Sequence, residues 1–243
     1  MVNVVIPMAG LGKRFSDDGF MRPKPLIEIN DVPMIQKAIE SLGIDGRYIF
    51  ITRKTEYSEE IHEHLRRIKP ECLIREIDYV TDGPACTVNL VRDEINNDDQ
   101  LVVANCDQIM WWDGSAFIHY CQYHDFDGMI VTYACDSTKN SYARIDMNGL
   151  VQEIREKEVI SDISLNGIHY WRRGLDFINS YDKMVEEDDR AVNGEFYVGP
   201  SFNQMIKRQQ RVGIYHIPRC QHHAVGTPDD LREYIRNENL QFK

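Results

Sequence analysis

Short runs of branched and aromatic apolar residues alternate along this chain with longer stretches in which apolar residues recur every three or four positions. The runs Asn3 to Pro7, Tyr48 to Thr52, Leu73 to Ile77, Leu101 to Ala104 and Met129 to Tyr133 predict strands. The spacing within Met34 to Leu42, Ser58 to Ile68, Ala85 to Arg92 and Ser115 to Tyr123 predicts helices between them, with Pro33 suited to a first helical turn. Such alternation is the rhythm of a largely parallel sheet with crossover helices. After Cys135 the rhythm changes. The stretch YARIDMNGLVQEI predicts a hairpin turning at Asn148-Gly149, followed by a strand over Ser164 to Trp171. Helices near Leu175 to Glu186 and Pro200 to Arg208, a strand at Val212 to Ile217 and a last helix from Pro228 to Asn237 complete the pattern. There is no internal repeat, low-complexity segment or linker, and EEDD at 186–189 reads as a solvated loop. The expected fold is α/β: a mostly parallel open sheet flanked by helices, with a small C-terminal lobe of β-hairpin and helices.

Composition narrows the function. At 243 residues and 42% hydrophobic content the chain can bury a proper core, and no apolar run approaches the roughly 18 residues of a membrane span. The first residues lead straight into strand-like sequence rather than a signal peptide, so a soluble, cytoplasmic protein with no membrane partner is expected. Cys72, Cys86, Cys106, Cys121, Cys135 and Cys220 stand singly, without metal-type spacing, and read as reduced thiols. The net charge of -11 argues against a nucleic-acid partner. A polyanionic small ligand then requires cations gathered locally.

The segment VVIPMAGLGKRFSDDGFMRPKPL, Val4 to Leu26, gathers them: Lys13, Arg14, Arg22 and Lys24 follow a strand that breaks into Gly10 and Gly12. Glycines there let backbone N–H groups approach phosphate oxygens. The loop is neither a Walker phosphate loop, since no Gly-Lys-Ser/Thr closes it, nor a dinucleotide fingerprint, since GLGKRF lacks the third glycine.

Gly10, Gly12, Arg14 and Phe15, then Pro23, Lys24, Pro25 and Leu26, match a G-x-G-x-R-L/F…P-K-P-L signature, and here the chain resembles the sugar-phosphate nucleotidyltransferases, or nucleotide-sugar pyrophosphorylases. The likeness continues in order. Asp82-Gly83-Pro84-Ala85 is similar to a second nucleotide-contacting turn, VVANCDQ to the acidic strand end, YARIDMNGLVQEIREK to the family hairpin, LNGIHYW to its next strand and GTPDDL to its late Gly-Thr-Pro stretch. The resemblance implies a Rossmann-like, GT-A-like fold in one domain over 1–243, with a nucleotide-binding part near 1–135 and an acceptor-binding part near 136–243. It implies transfer of a nucleotidyl group from a nucleoside triphosphate to a phosphorylated small molecule, a sugar 1-phosphate by family default, with pyrophosphate released. It also implies Mg²⁺, with Mn²⁺ as a substitute.

Site residues follow from the same resemblance. Arg14 would hold the β- and γ-phosphates and Lys24 the α-phosphate, with Lys13 and Arg22 ordinary surface charge. Backbone groups of Met8, Ala9, Gly10, Gly12 and Gly83 would contact the nucleotide, and Asp107 would hold the metal. Glu156 and Lys157 would read the acceptor, with Tyr142, Asn166 and Glu195 on the same wall. Two positions depart from the family. Relatives carry a second metal-binding Asp where this chain has Ala224, so Asp107 acts alone or is joined by Asp229 or His223. Pyrimidine-reading relatives carry Gln where this chain has Asp78, and a carboxylate that only accepts hydrogen bonds leans toward cytosine, hence CTP over UTP or dTTP. Relatives also include cytidylyltransferases for phosphocholine-like alcohols, and homodimers are common among them. A glycosyltransferase would show Asp-x-Asp, whereas NCDQ supplies one Asp; a silent nucleotide sensor would have lost Arg14, Lys24 or Asp107.

Overall fold

The computed structural model describes residues 1–241. Along the chain come β1 (Val2–Met8), α1 (Lys13–Asp17), the short pair β2 (Glu28–Ile29) and β3 (Val32–Pro33), α2 (Met34–Leu42), β4 (Arg47–Arg53), α3 (Ser58–Ile68) and β5 (Leu73–Ile77). Then follow α4 (Pro84–Asn89), α5 (Arg92–Ile95), β6 (Gln100–Ala104), β7 (Gln108–Met110), α6 (Gly114–Tyr123) and β8 (Gly128–Ala134). The remainder is β9 (Ser141–Ile145), β10 (Val151–Glu156), β11 (Ile163–Trp171), α7 (Gly174–Glu186), α8 (Phe202–Lys207), β12 (Val212–His216), β13 (His222–Ala224) and α9 (Pro228–Gln241).

Strands β5, β4, β1 and β6 lie side by side and parallel. Beyond β6 the direction reverses, because β11 runs antiparallel to β6 and to β8, while β12 returns parallel to β8. The hairpin β9–β10 joins at β11, turning through Gly149 at φ 78°, as the Asn-Gly pair predicts. The block β5, β4, β1 and β6 is therefore the parallel part that the sequence rhythm predicts.

Central strands read as unbroken apolar runs because both faces are covered. The period of two still sorts their side chains. Val5, Ile49, Ile51, Leu101 and Val103 face one core with Phe177 and Phe202, whereas Val4, Ile6, Tyr48, Phe50 and Val102 face the other with Ile35, Leu65 and Phe117. A third, smaller core packs Phe15, Ile29 and Met34 against Val225, Leu231 and Tyr234.

Local differences from the sequence pattern have simple causes. The predicted helix 85–92 is two short helices, α4 and α5, and Pro33 ends β3 immediately before α2 rather than opening the helix. Strands β2 and β3 turn through Asn30 and Asp31, both left-handed at φ 48° and 63°, a conformation short polar side chains tolerate. The ribbon β7–β13 pairs residues that are more than a hundred positions apart, which no local pattern can reveal.

Candidate active site

The chain leaves β1 toward β4 and β5, then returns to β6 on the other side of β1. Loops after β1 and β6 therefore part here, leaving a crevice at the carboxyl ends of the strands, where open α/β sheets collect ligands. Both loops carry motif residues.

After β1, Met8 and Ala9 are buried, and Gly10 has nothing within 4 Å of where a side chain would begin. Gly12 heads α1 in the left-handed conformation (φ 63°, ψ 19°), which other residues enter at a cost. Phe15 is buried in the third core and pins this short helix, while Arg14 beside it is exposed. Pro23 is extended, and Lys24 begins a single turn whose Leu26 is buried. Arg22 is tied to Glu60 and Lys13 is exposed, in keeping with peripheral roles for both.

Lys24 reaches across the crevice and donates to the carboxylate of Asp107 at the end of the β6 loop. Their side chains are 17% and 23% exposed. Burial works most strongly against the Lys24 ammonium, but the charge and hydrogen bond of Asp107, with Cys106, together outweigh it and raise the lysine pKa. Burial likewise disfavours the Asp107 carboxylate, and the charges of Lys24 and then Arg14 overcome it, holding the carboxyl below its usual range. The three side chains thus form one electrostatic unit. Gly226 makes room for it, since a side-chain carbon there would lie 2.5 Å from Asp107 Oδ2.

Asp107 is an ionised, hard oxygen donor, but the surroundings add little. Ala224 lies opposite Gln108 in the β7–β13 ribbon and offers no oxygen from its side chain. Of the two suggested substitutes, His223 packs tilted against Trp111 at 4.1 Å and edge-on to Tyr234 at 5.5 Å, and Asp229 accepts from Arg232 at 3.2 Å. No group of three metal-ligating side chains forms among the described residues. One carboxylate suits Mg²⁺, which keeps several waters and takes phosphate oxygens, better than it suits a metal needing an all-protein cage.

Gly83 heads α4 at φ 123° and ψ 171°, a region essentially reserved for glycine. It lies against the 195–196 segment. Phe196 N donates to the Asp82 carbonyl (2.8 Å) and Ala85 N donates to the Phe196 carbonyl (3.0 Å). The turn at 82–85 is thereby bonded directly to the segment at 195–196. Asp78, just past β5, is exposed.

Glu156 closes β10 and accepts from the Ser141 hydroxyl; burial first, then the Glu195 charge, raises its carboxyl pKa, against the pull of Ser141 and Lys157. Lys157 stands in the left-handed region at φ 58°, with Nζ donating to the Tyr197 hydroxyl at 2.8 Å. Burial works against its charge, and the Tyr197 bond and the two carboxylates more than restore it. Glu195 accepts from Asn193 at 2.8 Å. Glu156, Lys157 and Glu195 therefore come together as the sequence suggests.

Two wall residues are placed differently. Tyr142 is wholly buried, its hydroxyl donating to the Ser137 carbonyl at 2.8 Å, because the β9 residue that pairs with Ser164 must point into the core. Asn166 is also buried; its oxygen accepts from Ile168 N (2.9 Å) and its amide nitrogen approaches Met110 Sδ (3.6 Å), so the side chain serves the bend in β11. Sequence reasoning missed Gly226, Ser141 and Tyr197, whose roles arise from contacts between distant segments. Next to His223, His222 is buried and stacked 4.5 Å from Tyr133, its pKa pushed down to about 4 chiefly by burial.

This arrangement is that of an enzyme class, and the family model for nucleotidyl transferases matches residues 3–237. The chain belongs to the nucleotidyl transferase family. Its fold is shared with solved structures. A nucleoside-diphosphate-sugar pyrophosphorylase from Vibrio cholerae RC9 is 24% identical, with a TM-score of 0.84 and coverage of 96% of this chain and 99% of that one. A UDP-glucose pyrophosphorylase solved with UDP-glucose is 16% identical, with a TM-score of 0.78 and 99% of each chain covered. An inositol-1-phosphate CTP transferase from T. maritima is 14% identical, with a TM-score of 0.74 and 96% of each chain covered. No helix among the described residues is long and apolar enough to cross a membrane.

Proposed function

We propose that this nucleotidyltransferase joins a nucleoside triphosphate to a phosphorylated small molecule, with a sugar 1-phosphate as the acceptor class, releasing pyrophosphate in the cytoplasm for polysaccharide or related synthesis. The observation that carries the reading is the convergence of Arg14, Lys24 and Asp107 at one crevice, with Glu156, Lys157 and Glu195 on the acceptor side. Both reactants are anionic, so the site must offset mutual repulsion. The exposed guanidinium of Arg14 suits the β- and γ-phosphates, where a fork of donors matches tetrahedral oxygens. Lys24 supplies a point charge at the α-phosphorus. The acceptor phosphate attacks there, the bond to the β-phosphate oxygen breaks, and pyrophosphate leaves with that electron pair. Lys157 draws the acceptor phosphate, while Glu156 and Glu195 accept from its hydroxyls. Asp107 would hold Mg²⁺, or Mn²⁺, which when bound adds positive charge to the triphosphate. Residues near 1–135 form the nucleotide part of a single domain and those near 136–243 the acceptor part.

A second reading narrows the base and widens the acceptor. Exposed Asp78 at the end of β5 can accept from the cytosine amine but repels the carbonyls of uracil, favouring CTP and admitting phosphocholine-like alcohol phosphates. The test is pyrophosphate release from CTP, UTP and dTTP, each paired with sugar 1-phosphates and phosphorylated alcohols. Release from no pair sinks the transferase reading for these substrates. Preference for UTP or dTTP, or an Asp78→Gln variant with an unchanged ranking, sinks only the cytosine reading.

A further inference from the structure

The Lys24–Asp107 contact joins two groups that the reaction needs apart. In the reading above, which this inference rests on, Lys24 belongs on the α-phosphate and Asp107 on a divalent cation. Here they neutralise each other in a half-buried crevice. We propose that they form an exchange pair: Lys24 occupies Asp107 until a triphosphate and its cation arrive together, and neither ligand alone can separate the two.

Consider a bare cation first. It would have to displace an ammonium that is already paired with the carboxylate in a partly buried crevice. In return it gains one protein oxygen, because Ala224 offers none from its side chain and no group of three metal-ligating side chains forms among the described residues. A metal-free triphosphate fares no better. To bind Lys24 it must strip the ammonium from Asp107, leaving a bare carboxylate beside four negative phosphate charges. Arg14 is exposed and has no side-chain partner among the described residues, so it can offer first contact. Only the chelate supplies both replacements at once, a cation for Asp107 and an anion for Lys24. The count of charge contacts then rises rather than falls, and the exchange leaves no buried charge unpaired.

The consequence is positive coupling between cation and triphosphate beyond their mutual affinity in water. Coupling of this kind spans about 5–150-fold in proteins. It should reside in Lys24 and Asp107 as a pair, which a double-mutant cycle isolates. It also has an unusual sign: removing either partner should improve binding of the other partner's isolated ligand.

Two binding measurements test this. Mn²⁺ alone is titrated by electron paramagnetic resonance against wild type and Lys24→Met, with circular dichroism melts confirming that the variant folds. Roughly tenfold tighter Mn²⁺ binding in the variant is expected; unchanged or weaker binding overturns the exchange. Whichever of CTP, UTP and dTTP the wild type turns over is then titrated in excess EDTA against wild type, Asp107→Asn, Lys24→Met and the double variant. Asp107→Asn should bind the metal-free triphosphate tighter than wild type, and the gain should disappear when Lys24→Met is added. A gain that persists in the double variant means simple loss of negative charge and overturns the proposal, as does no gain at all. If the wild type turns over no triphosphate, the functional reading fails by itself, and the Mn²⁺ titration still decides whether Lys24 blocks Asp107.

Discussion

Gly83→Ala should be among the most disruptive single-methyl changes in the molecule. The new carbon would sit 2.5 Å from the Phe196 carbonyl oxygen and 2.7 Å from its nitrogen, both backbone atoms that cannot rotate aside. Relief requires residues 195–196 to move, which breaks the bonds between Phe196 N and Asp82 O and between Ala85 N and Phe196 O. Two such bonds contribute about 1–3 kcal/mol together. Holding alanine at φ 123° and ψ 171° adds about 1–3 kcal/mol of strain. The total, about 2–6 kcal/mol, is a large share of the 5–15 kcal/mol typical of a folded protein. At about 2–4 °C per kcal/mol for a chain of this size, the melting temperature should fall by roughly 5–20 °C. Circular dichroism against temperature measures it, with Gly10→Ala as control, since nothing lies within 4 Å of that position. A Gly83→Ala melt within about 2 °C of wild type refutes the argument.

Gly226→Ala should behave oppositely: its new carbon meets the end of the Asp107 side chain, which can rotate, so turnover falls while the melt stays near wild type. A melt that drops with turnover would show a structural role instead. Glu156 has a raised carboxyl pKa, so it takes up a proton at higher pH than an ordinary glutamate. The Michaelis constant for the acceptor should therefore climb as pH falls toward the acid range, and Glu156→Gln should flatten that climb in kinetics run at several pH values. By linkage, the raised value also means that ionising Glu156 at neutral pH costs stability, so Glu156→Gln should melt no lower than wild type at pH 7. Arg14→Ala should lower turnover by roughly 10²-fold with little change in acceptor affinity, and Lys157→Ala should raise the acceptor Michaelis constant while leaving triphosphate titrations unchanged; exchanged phenotypes would mean exchanged roles.

Much of this architecture is legible locally. The apolar runs give β1, β4, β5 and β6 because strands covered on both faces need little but branched side chains, and Asn148-Gly149 gives the hairpin because few dipeptides turn so tightly. Arg14, Lys24 and Asp107 are legible through motif order, and Glu156 with Lys157 through the hairpin that carries them. What stays hidden depends on pairing between distant segments. Tyr142 reads as a ligand-facing aromatic until its partner strand fixes which way it points. Gly226 reads as part of a turn until Asp107 is set against it. The reversal of direction beyond β6 is equally invisible, since β11 carries the same apolar pattern whichever way it runs.

The smallest of the three cores has a consequence for how the protein comes into being. Phe15 and Met34 are covered by Leu231 and Tyr234; Asp18 is paired with Arg232, and Lys37 donates to Glu238 at 2.9 Å. The two polar pairs span 201 and 214 positions, so the loop that presents Arg14 is fastened by a segment synthesised long after it. A nascent chain can pair β1 with β4 and β6 long before α9 exists, but the loop that carries Arg14 has no floor to rest on until then. On the function proposed above, competence to bind a triphosphate would wait for α9, and a ribosome-held intermediate that lacks it carries the sheet of a nucleotidyltransferase without the support under Arg14.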